Sequence, residues 1–165
     1  MKLSLKRFVK DGRGAVLVET ALVLPLLLLL LAASAELGRF IYTYNTLAKA
    51  TRASARYLSN KCLSDSRISS AKNLAAYGTT TTGTSILPNL SAGNVVVCSG
   101  APERNEACTP PPSNTTPEMI TVRIDDYTYQ LIIPVGPLAD LASFEIAPST
   151  TIKYFVTAPI VGGCS

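Results

Sequence analysis

Hydrophobic residues are concentrated in one block of the chain, residues 15–35, which reads AVLVETALVLPLLLLLLAASA. Glu19 is the only charged residue in this block. A helix of these 21 residues would be about 31 Å long, close to the hydrocarbon thickness of a bilayer. The first charged residues after the block are Glu36 and Arg39. The pattern therefore predicts one transmembrane segment over residues 15–35.

Beyond this block, apolar residues recur at three- and four-residue steps, which is the spacing of one helical face. The positions on this face are Leu37, Phe40, Ile41, Tyr44, Leu47, Ala48, Thr51, Ala55 and Leu58. Neither glycine nor proline occurs between Gly38 and Leu58. We therefore expect the transmembrane helix to continue as an amphipathic stalk over residues 36–59, with a domain packed against its apolar stripe.

Residues 60–165 contain both helical and strand patterns, which predicts a small α+β head domain. Ser64 or Asp65 can cap a second, shorter helix that ends at Gly78. From residue 94 onward, apolar and polar residues alternate, as in half-buried antiparallel strands. The predicted strands cover about residues 94–98, 119–125, 127–133 and 150–158.

The second and third of these strands follow each other closely, with Asp125 and Asp126 between them. We expect the two strands to belong to one antiparallel sheet, with the aspartates near its turn. The segment 138–146 is ambiguous, since a short helix and a loop that crosses the sheet fit it equally well.

Four cysteines, at positions 62, 98, 108 and 164, follow the apolar block. A zinc site built from four cysteines usually draws them from two close pairs, which these spacings do not provide. Two disulfides in an oxidising compartment explain the cysteines better. Of three possible connectivities we favour Cys98–Cys108, which closes a short proline-containing loop, and Cys62–Cys164, which ties the C-terminal end back to the stalk; sequence alone leaves the other two open.

Positive charge is concentrated in residues 1–14, where five basic side chains face Asp11 and give a net +4, equal to the formal charge of the whole chain. Basic residues beside a membrane span are retained in the cytoplasm, so we expect the head on the opposite side of the membrane. No basic patch with interleaved aromatic residues lies outside this leader, which argues against nucleic acid as a partner.

Machinery for catalysis is missing from the sequence. The chain has no histidine, no G-x-S-x-G elbow and no phosphate-binding G-x-x-x-x-G-K motif. Asp125 and Asp126 are adjacent, and neighbours in a strand point to opposite faces, so they make a poor acid–base pair. We expect a protein that is not an enzyme and uses no cofactor or metal.

Two processing signals compete at the N-terminus. Ala33-Ser34-Ala35 satisfies the A-x-A rule for an ordinary secretory signal, whose removal would release a soluble protein that begins at Glu36. A charge inside a membrane helix costs about 2.5–3.5 kcal/mol near its centre, and a discarded signal has no use for Glu19. This residue favours the second signal, in which the apolar helix is kept.

The second signal is carried by G-A-V-L-V-E-T-A-L-V-L-P, with Gly14 just before the apolar block, Glu19 at the fifth place after it, and Pro25 beyond. This run resembles the class III signal of type IV pilin-like proteins. Residues 13–44 most resemble the TadE-like family, the pseudopilins of the tight adherence (Tad, or Flp) pilus system. The strand region 118–158 agrees with the family only in general character.

The resemblance implies that a prepilin peptidase cleaves between Gly14 and Ala15. Glu19 would then pair with the freed amine of Ala15 on a neighbouring subunit, unless it simply reaches the lipid headgroups. Pro25 cannot donate a hydrogen bond to the carbonyl of Ala21, so it should kink or loosen the helix, and in pilin-like proteins such a segment suits packing in a filament.

By the same resemblance the protein is a minor pilin that assists the initiation or assembly of a Tad (Flp) pilus for surface adherence. Its partners would be the prepilin peptidase, the major Flp-type pilin, other minor pilins and the inner-membrane pilus platform. It would lie in the bacterial inner membrane with a periplasmic head, with or without incorporation into the extracellular pilus. Two alternatives stay open: a permanently anchored periplasmic binding or adhesin domain, and a secreted domain cleaved after Ala35.

Overall fold

The structure, a computed structural model, describes residues 12–60, 63–102, 106–112, 117–132 and 143–154. The chain divides into two compact units between Arg39 and Phe40. Two α-helices, a short 3₁₀ turn and five strands follow each other in the order α1 (Gly12–Ser59), α2 (Asp65–Tyr77), the turn (Ala92–Asn94), β1 (Val95–Ser99), β2 (Met119–Ile124), β3 (Thr128–Gln130), β4 (Ser143–Glu145) and β5 (Ser149–Lys153). The predicted α+β fold, with a long N-terminal helix and small antiparallel sheets, is confirmed.

Helix α2 has the end signals that its sequence predicts. Ser64 is the N-cap, and its hydroxyl accepts a hydrogen bond from the backbone N–H of Arg67 at 3.4 Å. Gly78 ends the helix in the left-handed conformation, with φ of 72°, and donates its N–H to the carbonyl of Leu74. Glycine adopts this conformation without the penalty that a Cβ brings.

The larger sheet has the order β1-β2-β5, with β2 antiparallel to both neighbours. Val97, Val122 and Thr150 are cross-strand partners and share one face of the sheet. This face is covered by the C-terminal half of α1 and by α2. The residues of the resulting core with no solvent exposure are Leu47, Ala55, Leu63, Ala71, Ala75, Ala76, Val95, Ile120, Val122 and Ile124.

Polar side chains in this core are paired across the elements. The hydroxyls of Thr51 in α1 and Thr150 in β5 are 2.9 Å apart. Ser54, which is fully buried, donates its hydroxyl to the carbonyl of Ala71 in α2 at 2.6 Å. A buried hydroxyl without a partner costs free energy, so these bonds fix which faces of α1 meet the sheet and α2.

The expected sheet of strands 119–125 and 127–133 is wrong in its pairing. Strand β2 pairs with β1 and β5, whereas β3 pairs only with β4 in a separate two-stranded sheet. A strand has two edges, and both edges of β2 are occupied, so none remains for β3. Asp126, with φ of 57°, turns the chain out of the larger sheet at this point.

Strand β4 lies inside the segment 138–146 that the sequence left ambiguous. Its residues Ser143–Glu145 are all exposed and pair with β3 in the register Tyr129 to Phe144. Positions 138–142 lie outside the described residues, as do 155–158 of the last predicted strand. Strand β5 ends at Lys153, and the next residue, Tyr154, is buried in the core, where burial raises the pKa of its phenol against the opposing effect of Arg67.

The outer face of the larger sheet is covered by the loop that a disulfide closes. Cys98 and Cys108 are joined, with their Cα atoms 5.2 Å apart, and Cys98 is fully buried. Thr121, the cross-strand partner of Cys98, is 1% exposed and donates its hydroxyl to the carbonyl of Gly100 at 2.7 Å. Cys62 and Cys164 lie outside the described residues, so their pairing stays a prediction.

Removing this disulfide should lower the stability of the head. Closing a loop of ten residues restricts the unfolded chain and stabilises a fold by about 2–3 kcal/mol. We expect the double variant Cys98→Ala, Cys108→Ala to lose about this much in urea unfolding of the full chain in detergent micelles. Thr109→Ala, an exposed change directly after Cys108, should stay within about 0.5 kcal/mol. Equal stability of both variants would contradict a stabilising role for the bridge.

Candidate functional site

Gly14 and Ala15, the predicted cleavage pair, both lie in α1, which is described from Gly12 to Ser59. The peptide between them is therefore helical. A glycine inside a helix costs about 1 kcal/mol relative to alanine, so Gly14 weakens the helix at this peptide. Opening the helix here requires less free energy than it would with alanine at position 14.

The apolar block that follows is exposed on all sides of α1. Its large apolar side chains between Val16 and Leu31 are 44–74% exposed, and none packs against another described element. Mean hydropathy over its most apolar 18 residues reaches 2.6, so α1 is long and apolar enough to cross a membrane. A helix that is apolar all round fits lipid better than it fits water.

Uncharged polar side chains within this block are satisfied by the helix itself. The hydroxyl of Thr20 donates to the carbonyl of Val16 at 2.8 Å, and that of Ser34 donates to the carbonyl of Leu30 at 2.8 Å. Bonds of this kind remove most of the cost of placing a hydroxyl in an apolar medium. Neither hydroxyl requires a partner from another molecule.

Glu19 differs from these two residues. It is exposed on α1, and among the described residues it has no ion-pair partner. It lies four residues after Ala15, on the same helical face and about 6 Å further along the axis. The structure therefore presents a carboxylate in the apolar block, near the end where cleavage would create an amine.

Helix α1 continues through Pro25, which is an interior residue of it. Proline has no N–H, so the carbonyl of Ala21 lacks its usual helical donor at this position. The helix is continuous on both sides of Pro25, and the kink or loosening expected there stays a prediction.

The apolar block ends in an ion pair. Arg39 Nη2 and Glu36 Oε1 are 3.0 Å apart and one helical turn apart in sequence. Paired charges at the end of a span fit the polar side of a membrane boundary better than its hydrocarbon core.

Polar side chains at the end of β2 form hydrogen bonds within the head. Arg123 Nε donates to Asp125 Oδ2 at 2.9 Å, and the side-chain amide of Asn94 donates to the backbone carbonyl of Asp126 at 3.3 Å. In the described ranges, no group of three or more cysteine or acidic side chains is arranged to hold a metal ion. The aspartates stabilise the end of β2.

Sequence reasoning missed an aromatic cluster formed by Phe40, Tyr44, Tyr129 and Phe144. The Phe40 ring centroid is 5.7 Å from that of Tyr129 and 5.4 Å from that of Phe144. Phe40 was assigned only to the apolar stripe of α1, and Phe144 fell in the ambiguous segment. No local pattern links a helix residue to a strand about a hundred positions later.

Residues 14–56 match the family model described as TadE-like protein. The match begins at Gly14, includes Glu19 and Pro25, and ends at residue 56 within α1. It extends beyond residue 44, where the resemblance based on the sequence motif ends. No curated protein and no solved structure matches the chain.

The residues matched by the family model all lie within α1. TadE-like proteins are structural components of the Tad pilus rather than a family of enzymes. Over residues 14–56 the chain is therefore similar to the family described as TadE-like protein.

Proposed function

We propose that this protein is a minor pilin that assists the initiation or assembly of a Tad (Flp) pilus for surface adherence. The observation that carries the proposal is the family match from Gly14 to residue 56, which lies on a single helix long and apolar enough to cross a membrane. The head on residues 60–165 is larger than a bulk Flp pilin requires, which favours a minor over a major subunit. Its role is structural, and its partners are the major Flp-type pilin, other minor pilins and the inner-membrane platform.

Maturation in this proposal is cleavage between Gly14 and Ala15 by a prepilin peptidase. Gly14 supports it, because glycine weakens the helix at this peptide and so lowers the free energy of opening it. Cleavage removes residues 1–14 with their net charge of +4 and frees the amine of Ala15. The apolar helix stays with the mature protein as its anchor, with the head in the periplasm.

Glu19 is the assembly residue in this proposal. Its carboxylate is exposed on an apolar helix, and the hydroxyl groups nearby in the block are already bonded within the helix. A carboxylate in lipid is stabilised by a cationic partner, and the amine of Ala15 on a neighbouring subunit supplies one. Such a pair specifies the register between subunits more than it adds stability.

Mass spectrometry of the N-terminus of the protein, purified from its native host, tests the maturation step. We expect the chain to begin at Ala15. An intact leader would favour an anchored binding or adhesin domain outside the filament. A chain that begins at Glu36 would instead identify a secreted domain, and would overturn both the pilin and the anchor.

A further inference from the structure

A run of exposed threonines connects α2 to the turn before β1. Residues 78–84, which read GTTTTGT, are all exposed and belong to no helix or strand. We refer to residues 79–84 as the threonine loop, whose threonines are Thr79, Thr80, Thr81, Thr82 and Thr84. These five residues add no side chain to the core of the head.

Hydrogen bonds to α2 fix the position of the threonine loop. The N–H of Ile86, just beyond the loop, donates to the carbonyl of Ala76 in α2 at 3.0 Å. Asn73 of α2 donates its side-chain amide to the carbonyl of Thr80 at 3.3 Å. The chain therefore leaves the end of α2 and returns to it, and a group attached to the exposed loop displaces no core residue.

Most hydroxyl groups of the threonine loop have no structural role. Thr79 donates its hydroxyl to the carbonyl of Thr81 at 2.8 Å. The other four hydroxyls have no hydrogen-bond partner among the described residues. In the larger sheet, by contrast, the hydroxyls of Thr121 and Thr151 bond to each other across the strands at 2.8 Å. Hydrogen bonding within the head therefore does not explain why this loop consists of threonines.

Loop conformation does not explain the threonines either. Glycine, asparagine, aspartate and serine suit turns, whereas a β-branched side chain suits a strand. A solvated loop gains nothing from the stiff χ1 angle and the methyl group of threonine. What the threonines add is a set of accessible hydroxyls, and segments rich in serine and threonine are typical acceptors of O-linked sugars.

We propose that the threonine loop is a site of O-linked glycosylation, with the sugars on its four threonines other than Thr79. The donor is a sugar bound through its C1 carbon to the phosphate of a carrier. The threonine Oγ forms a bond to C1 while the bond from C1 to the phosphate oxygen breaks. The hydroxyl proton passes to a basic group of the transferase, and the phosphate leaves with the electron pair. The attached sugars keep the surface at this end of α2 hydrated.

Peptide mapping of the full-length protein from its native host tests this inference. After reduction and alkylation, trypsin cleaves after Lys72 and Arg104, so the peptide 73–104 contains the whole threonine loop. We expect most of this peptide to carry one or more added sugar masses, which electron-transfer fragmentation assigns to the loop threonines. An unmodified peptide, a mass shift of phosphate, or sugar found only on Asn89 or on a serine would each overturn the inference.

A variant with alanine at all four acceptor positions should lose the added mass completely. It keeps Thr79, whose hydroxyl is the one that bonds within the loop. Thr128→Ala is the matched control, because it removes an exposed threonine hydroxyl elsewhere in the head, and its peptide 73–104 should stay modified. Sugar retained on this peptide of the alanine variant would overturn the assignment to these threonines. The map of the parent protein decides the question by itself if the alanine variant does not fold.

Discussion

Replacing Gly14 with leucine should leave the basic leader attached to the whole population of the protein. Gly14 and Ala15 both lie in α1, so the peptidase has to open the helix locally to extend the peptide between them. Leucine favours the helix over glycine by about 1 kcal/mol, which makes the open form about fivefold rarer. It also adds a side chain where the enzyme would meet only backbone. Gly14→Ala shares both effects on a smaller scale and should also retain the leader.

Gly12→Leu is the matched control, because it makes the same change two residues earlier in the same helix. It raises the helix propensity to a similar degree but leaves the residue before the cleaved bond as glycine. We expect its product to begin at Ala15, as in the parent protein. Intact-mass measurement on both membrane-extracted proteins distinguishes them, since a retained leader adds fourteen residues. Cleavage of Gly14→Leu after position 14 would show that the glycine does not define the site.

Much of the helical part of the fold can be predicted because its signals are local. The 3.6-residue pattern of α1, the capping serine at position 64 and the left-handed glycine at position 78 each depend on neighbours in sequence. The same holds for Gly14, Glu19 and Pro25, which belong to one continuous motif. A residue in such a motif can be located without knowing the tertiary structure.

Strand pairing could not be predicted, because alternation shows which face a side chain occupies and not which strand lies beside it. Strand β2 is adjacent in sequence to β3 but pairs with β1 and β5, from more distant parts of the chain. Thr121 is a further case. Its position in the alternating pattern of β2 predicts a solvent-exposed side chain. It is only 1% exposed, because the disulfide loop covers it. The aromatic cluster was missed for the same reason, as it joins α1 to β3 and β4.

Replacing Glu19 with alanine should separate membrane anchoring from pilus assembly. Removing a carboxylate from the apolar block relieves a cost of up to about 2.5–3.5 kcal/mol, so the variant should insert into the membrane at least as well as the parent. Cleavage after Gly14 should be normal, because Gly14 and Ala15 are unchanged. In an assembled subunit, however, the amine of the neighbouring Ala15 would lose its partner within the membrane. An unpaired ammonium carries a similar cost, which corresponds to about 100-fold weaker assembly.

The measurement is the amount of the protein that co-purifies with the major pilin, together with the number of pili on cells that express only the variant. Thr20→Ala is the matched control, because it removes a neighbouring polar group whose hydroxyl already bonds to the carbonyl of Val16 and so has no need of a second subunit. Thr20→Ala should assemble like the parent, and Glu19→Gln should resemble Glu19→Ala, because an amide keeps the size of the side chain but loses its charge. Normal piliation in the Glu19→Ala strain would show that the carboxylate has no partner in the assembled state. Glu19 would then be a residue that only reaches the headgroups, and the register between subunits would have to come from the remainder of α1.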